Sequence, residues 1–213
     1  MKIKVCGMTD PANIEEVASL GVDYLGFIFY EKSPRCLPKG FAIPENFSKN
    51  YPKIQKVGVF VKASTDFILE KIKKYHLDLL QLHGKESHSY CENLKKTLFK
   101  QGLNAEIIKV FSVSEDFDFS DCEAFVTCAD YFLFDTKGKN LGGNGVAFNW
   151  DILQNYHLTK PFFLSGGIDI IHSESLKNLK NSNFYAIDIN SRFEIQAGLK
   201  DIDKIREFVA SLL

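Results

Sequence analysis

The sequence has no apolar run approaching the roughly 18 residues of a membrane-spanning helix, and no low-complexity linker. It also lacks an excess of charge: 26 Lys and Arg stand against 27 Asp and Glu, a net charge of −1. Nucleic acid and anionic membranes both select a basic face, so neither is expected as a partner. No Cys-x-x-Cys pair occurs among Cys6, Cys36, Cys91, Cys122 and Cys128. An odd set of this kind reads as reduced thiols, most of them small buried hydrophobes. Met1–Cys6 is too short an apolar stretch for a secretory signal and is interrupted by Gly7, so a cytoplasmic setting is expected. His76, His88, His157 and His172 lack metal-ligand spacing, and no metal site is expected. What remains is an ordinary globular composition, 45% hydrophobic and 25% charged, able to bury a full core. No composition shift divides the chain. Residues 1–213 are expected to form one domain, close to the roughly 200–250 residues of a closed α/β barrel.

Short β-rich runs alternate with helical patterns eight times. The strand candidates are Lys2–Cys6, Tyr24–Phe29, Lys56–Val61, Leu79–Leu82, Ala105–Phe111, Tyr131–Asp135, Phe162–Ser165 and Tyr185–Ile189. Several are almost wholly apolar, as strands buried on both faces of a parallel sheet must be. Asp10-Pro11 reads as a helix start running to a stop at Gly21. Helices are also expected over Ser64–Tyr75, Glu86–Lys100, Phe148–Tyr156, Ser173–Lys180 and Asp201–Leu213. Pro34, Pro38 and Pro44 interrupt the segment after the second strand, and the acidic-aromatic run Glu115–Phe119 blurs the one after the fifth. The rhythm fits a single (β/α)8 TIM barrel, with an open doubly wound sheet as the alternative. The polar residues favour the barrel, because Cys6, His83, Asp135, Ser165 and Asp188 all fall at strand C-terminal ends. Those ends converge on one mouth, where barrel active sites form.

On spacing alone, Cys6 in Lys4-Val-Cys-Gly-Met-Thr9 is as readily a core cysteine beside a tight turn as a proton-accepting thiolate. Asp135 closes four large hydrophobes and precedes a glycine-rich stretch, which points to a group facing the mouth; capping its own turn is the alternative. Arg35, beyond the second strand, offers a planar fork for a carboxylate or phosphate. Ser165-Gly166-Gly167 after strand seven and Asn190-Ser191 after strand eight together suggest a phosphate site, since glycine-turn N–H groups and a helix start bind anions. His83 is as readily structural as catalytic. Gly142-Gly143-Asn144-Gly145 lacks P-loop spacing and reads as a flap over the mouth, with an ordinary surface loop as the alternative.

Together these segments resemble the phosphoribosylanthranilate isomerase family of tryptophan biosynthesis from end to end. The likeness rests on Lys4–Thr9, Leu25-Gly-Phe-Ile-Phe29 with Ser33-Pro-Arg35, Val57–Val61, Gln81-Leu-His-Gly84, Asp135 with Gly142-Gly143, Ser165-Gly-Gly167, Asp188 and Gly198-Leu-Lys-Asp201. The resemblance implies an Amadori rearrangement with Asp135 as general acid and Cys6 as general base. It makes Arg35 the carboxylate holder, and Gly166, Gly167, Asn190 and Ser191 the phosphate cradle. His83 and Asp188 join the substrate-binding set. No cofactor is implied, and the partner is a small phosphorylated substrate; the chain could act as monomer or homodimer. The nearest rival, the histidine-pathway isomerase family, resembles two repeated halves with an aspartate in each, and no half-repeat is evident here. A phosphosugar-binding barrel without catalysis would not need both Cys6 and Asp135. The chain departs from the family at Ser165, usually Ala, at Asn144, usually Thr or Ser, and at Arg192, usually Gly. Arg192 is expected to accept the backbone geometry and add a cation near the phosphate.

Overall fold

The alternating apolar runs become strands because each must be covered on both faces, and a sheet closed on itself with helices outside covers both. The structure, a computed structural model, describes residues 1–136 and 150–212. Among these, eight parallel strands close a barrel in chain order: β1 Lys2–Cys6, β2 Tyr24–Ile28, β3 Gln55–Phe60, β4 Leu79–Leu82, β5 Glu106–Val113, β6 Tyr131–Thr136, β7 Phe162–Ser165 and β8 Phe184–Ile189. The ring is shut by β8 pairing with β1, which sets Lys4 level with Asp188. The single barrel is therefore the architecture, not the open sheet. Among the described residues, no helix is long and apolar enough to cross a membrane.

Inward side chains stack in layers, as barrel interiors do. Tyr24, Val57, Leu79, Ile108, Val110, Leu133, Phe163 and Ala186 fill the lower barrel, and Cys6, Ile28 and Val59 form a small group above them. The outward side chains join the larger core beneath the helices.

Four segments read as helices from sequence are α-helical with slightly different ends: α1 Pro11–Ala18, α3 Thr65–Tyr75, α5 Ser173–Asn178 and α6 Ile202–Leu212. The helix expected from Glu86 starts later, as α4 His88–Lys100, capped by Ser87. Glu86 is retained in the loop instead. Its carboxylate accepts from Lys62 N–H at 2.8 Å, Gly84 N–H at 2.9 Å and the Lys109 ammonium at 3.1 Å. After β2 only one turn survives, α2 Phe47–Asn50. The blurred segment after β5 and the helix expected after β6 are both 3₁₀ turns, Phe119–Phe125 and Trp150–Asn155. The aromatic content explains the former. Phe117, Phe119 and Phe125 meet Phe111 and Phe134 edge-on or tilted at 5.2–6.2 Å, so ring packing rather than helical periodicity covers the sheet there. Phe148 and the Gly142–Gly145 stretch lie outside the described residues.

A hairpin follows β8. A 3₁₀ turn over Ser191–Phe193 leads into β9 Glu194–Gln196 and β10 Leu199–Lys200. Asn13 of α1 fastens it: its amide donates to Lys200 O at 3.0 Å and accepts from Lys200 N–H at 2.7 Å. Thr9 adds a bond to Gly198 O at 2.9 Å. The hairpin is thereby held beside the end of β1.

Candidate active site

Cys6 ends β1 and is buried, with its sulfur against the backbone of β2. The room for it comes from Gly26. A Cβ there would lie 2.8 Å from Cys6 Sγ and 3.0 Å from Cys6 Cα, closer than atoms pack. Gly26→Ala should therefore cost about 1–3 kcal/mol of stability through overpacking, read as a lowered thermal midpoint. Gly7, directly after Cys6, turns the chain at φ +79°, and a side chain there would strike Arg35 Cδ at 2.8 Å and Asn190 Oδ1 at 2.9 Å. The tip of β1, the loop after β2 and the loop after β8 thus meet around one glycine.

Below Cys6, on the same inner face, Lys4 donates to Asp188 Oδ1 at 2.9 Å, and both side chains are essentially inaccessible. Burial opposes the charge on Lys4, but Asp188 and Cys6 outweigh it and hold its ammonium above the ordinary value. For the Cys6 thiol, burial dominates and pushes it up; Lys4 and Lys200 pull it down, and Asp188 adds to the rise.

A second buried network lies beside the first. Lys200 donates to Glu194 Oε1 at 2.7 Å and Asn190 Oδ1 at 2.8 Å. Glu194 also accepts from Arg35, with Nε 2.9 Å from each carboxylate oxygen and Nη2 2.6 Å from Oε2, and from Gly198 N–H at 3.1 Å. Burial works against the Glu194 charge, yet Arg35 and Lys200 keep its carboxyl below the ordinary range. One edge of the Arg35 fork is thus already engaged within the protein, which nothing in Ser33-Pro-Arg35 foretells.

Across the mouth, Asp135 lies level with Ser112 of β5 and Ser165 of β7. Asp135 Oδ2 is 3.6 Å from His83 Nε2, and His83 Nδ1 is 2.9 Å from Gln81 Nε2. With Gln81 donating to Nδ1, a neutral His83 carries its proton on the nitrogen facing Asp135. The buried Gln81 Oε1 has no hydrogen-bond partner among the described residues.

The segments expected from sequence to hold an anion lie in two loops. Gly166 and Gly167 follow β7 at φ +105° and +66°. Asp169 then caps the 3₁₀ turn Ile170–His172. After β8, Ser191 opens its own 3₁₀ turn, while the Asn190 side chain is taken up by Lys200. Arg192 is exposed and has no positive φ, so it occupies the usual glycine position without left-handed backbone. Lys204 joins the Arg192 carbonyl, at 2.6 Å, to the Asp169 carboxylate, at 2.8 Å, which places Arg192 beside the loop after β7.

The nine residues to which the resemblance gives a catalytic or binding role, namely Cys6, Arg35, His83, Asp135, Gly166, Gly167, Asp188, Asn190 and Ser191, fall at the same end of the barrel. Sequence reasoning assigned no role to Lys4, Gln81, Glu194 or Lys200. The signal was available in part: Lys4 is a cation inside an expected strand, where an unpaired charge cannot be buried, whereas the strand that holds Lys200 is seen only in the structure.

The whole chain has counterparts among known proteins. The family model described as N-(5'phosphoribosyl)anthranilate (PRA) isomerase matches residues 3–211. The N-(5'-phosphoribosyl)anthranilate isomerase of Parabacteroides distasonis is 43% identical over 213 residues, covering 100% of this chain and 94% of the relative. That of Phocaeicola vulgatus is 38% identical over 212 residues, covering 100% and 98%. Among solved structures, phosphoribosyl anthranilate isomerase from Thermotoga maritima superimposes with a TM-score of 0.80 at 27% identity, covering 100% of this chain and 98% of that one.

Proposed function

The chain belongs to the N-(5'-phosphoribosyl)anthranilate isomerase family, and from that premise we propose how its barrel mouth carries out the reaction. The substrate is N-(5′-phosphoribosyl)anthranilate, the product is 1-(2-carboxyphenylamino)-1-deoxyribulose 5-phosphate, and the step belongs to tryptophan biosynthesis. Asp135 protonates the furanose ring oxygen as the C1′–O bond breaks, and the arylamine nitrogen takes up the positive charge as a Schiff base. That cation acidifies the C2′ proton, which Cys6 removes as a thiolate. The enolamine then gains a proton at C1′ and loses one from the C2′ hydroxyl, giving the ketone. Acid–base assistance of this kind is worth about 10²–10⁴-fold per group.

The substrate is anionic at both ends, and two separate places suit those ends. Glu194 takes the Nε–Nη2 edge of Arg35, which leaves the Nη1 edge for the anthranilate carboxylate. The glycine turn at Gly166–Gly167 and the N–H groups at Asn190–Ser191 take the phosphate, with Arg192 adding positive charge beside them. His83 and Asp188 line the space between. A cytoplasmic setting, with all five cysteines as free thiols, suits a thiolate base.

The observation that carries this reading is the pairing of a strand-end thiol on β1 with a strand-end carboxyl on β6 in one mouth. The test is the loss of anthranilate-derived fluorescence when the purified chain meets phosphoribosylanthranilate. Decay far above spontaneous hydrolysis is expected, and decay at the spontaneous rate would overturn the assignment.

A further inference from the structure

The reaction just described makes no use of Lys4, although it is the buried cation closest to Cys6 along the strand. Residues two apart on a strand share a face, so Lys4 and Cys6 both project from the inner side of β1. Lys4 has no exposed surface; its ammonium is bonded to the Asp188 carboxylate at 2.9 Å, and the nearby Cys6 thiol adds to the pull that favours its charge. A fully buried Lys–Asp pair is poor value as a structural device, since the desolvation of two ions offsets their attraction and an apolar pair of similar volume does as well. The charge therefore calls for a use.

The groups facing Cys6 supply it. Lys4 comes from β1, Asp188 from β8, Lys200 from β10 and Arg35 from the loop after β2, with the Gly26 backbone closing the β2 side. Asp188 neutralises Lys4, and Glu194 is shared by Lys200 and Arg35. Three cations thus stand against two carboxylates. Before substrate binds, with the thiol protonated, this largely buried cluster carries one net positive charge, and a thiolate at Cys6 balances it. Lys200 and Arg35 come from other segments and share Glu194, whereas Lys4 rises from the same face of β1 two residues before Cys6, with its ammonium held there by Asp188 at 2.9 Å.

We propose that Lys4 is the counter-ion of the Cys6 thiolate and that Asp188 is the positioning residue that holds the Lys4 ammonium beneath the sulfur. The inference rests on the reading of Cys6 as the general base. Lys4 does not touch the substrate: it acts through Cys6, by keeping a small fraction of the buried thiol ionised and ready at C2′. In the resting protein the thiol's proton goes to solvent, and the proton taken up in the reaction comes from C2′.

The test reads Cys6 directly rather than through turnover. The full chain is treated with iodoacetamide at one mildly alkaline pH, and the rate at which the Cys6 peptide becomes carbamidomethylated is followed by mass spectrometry. An opposite charge in contact shifts a pKa by about 1–3 units, so Lys4→Met should slow the alkylation about tenfold or more, whereas Lys4→Arg should retain most of the rate. A merely structural lysine predicts the reverse, since a loosened core exposes the thiol and speeds the reaction. Because Lys4→Met leaves Asp188 buried and unpaired, the double variant Lys4→Met with Asp188→Asn is measured alongside it. There a smaller fall is expected, as Asp188 opposes Lys4 at the thiol. A rate equal to or above that of the unaltered protein overturns the proposal, in the single variant or, should that one not fold, in the double. The outcome is separable from the assignment it rests on: full turnover in Cys6→Ser would remove Cys6 as base and leave this alkylation ratio untouched.

Discussion

Cys6→Ser is expected to lower turnover by about 10²–10⁴-fold, the usual worth of a positioned base, while leaving the fold intact. The hydroxyl occupies nearly the same space over Gly26 and beside Ile28 and Val59, so packing is kept. What is lost is the ability to part with a proton: a serine hydroxyl is far weaker as an acid than a thiol and supplies no anion to take the C2′ hydrogen. The check is a steady-state kcat paired with a thermal midpoint, and a near-normal kcat would remove Cys6 from its role. The pH profile adds a sign. Burial raises the Cys6 thiol above its ordinary value, and the base works only when deprotonated. The kcat/KM of the unaltered enzyme should therefore climb as pH rises through the thiol's titration, and that rising limb should vanish in Cys6→Ser.

Asp135→Asn should show a loss of similar size, about 10²–10⁴-fold, by a different route. The amide matches the carboxyl in shape and can still meet His83 across the 3.6 Å gap. It has no acidic proton to give the ring oxygen, so the furanose stays closed. Because that proton is needed only as the C1′–O bond breaks, kcat and kcat/KM should fall together with little change in KM. A selective rise in KM at normal kcat would instead make Asp135 a binding residue. A substrate analogue already in the open-chain imine form should bypass Asp135→Asn but not Cys6→Ser, which separates the two steps.

Much of the barrel was legible because its signal is local. An apolar run such as Tyr131–Phe134 followed by Asp135 gives both a buried strand and the group at its end within five residues. The 3₁₀ turns after β5 and β6 were not legible, since a Phe-rich segment can cover a sheet by ring packing and needs no helical spacing to do so. Glu86 carries a helix-start signal that the fold does not use. It resembles the first turn of a helix, but its carboxylate is committed to Lys62, Gly84 and Lys109, the last contributed by β5. The electrostatics of the site were the least visible part. Lys4 finds Asp188 across 184 residues of chain, and Glu194 joins Arg35 to Lys200. Such partnerships depend on strand register and hairpin placement, which composition and spacing do not encode. The sequence motif names Arg35 as an anion holder without saying that a carboxylate of its own chain already occupies part of the fork.

The closure of the ring by β1 and β8 has a consequence in time as well as in space. A chain emerging from the ribosome delivers Cys6 first and Asp188, Glu194 and Lys200 almost last. Until β8 pairs with β1, Lys4 has no counter-charge and cannot be buried at tolerable cost. Although β2 follows at once to cover one edge of β1, the edge that meets β8 and the Lys4 ammonium must wait while nearly everything else is made, and contacts of this sequence separation are slow to form. Catalytic competence is then a property of the finished ring and not of any growing intermediate: seven strands of this enzyme should hold every reacting group and still do no chemistry.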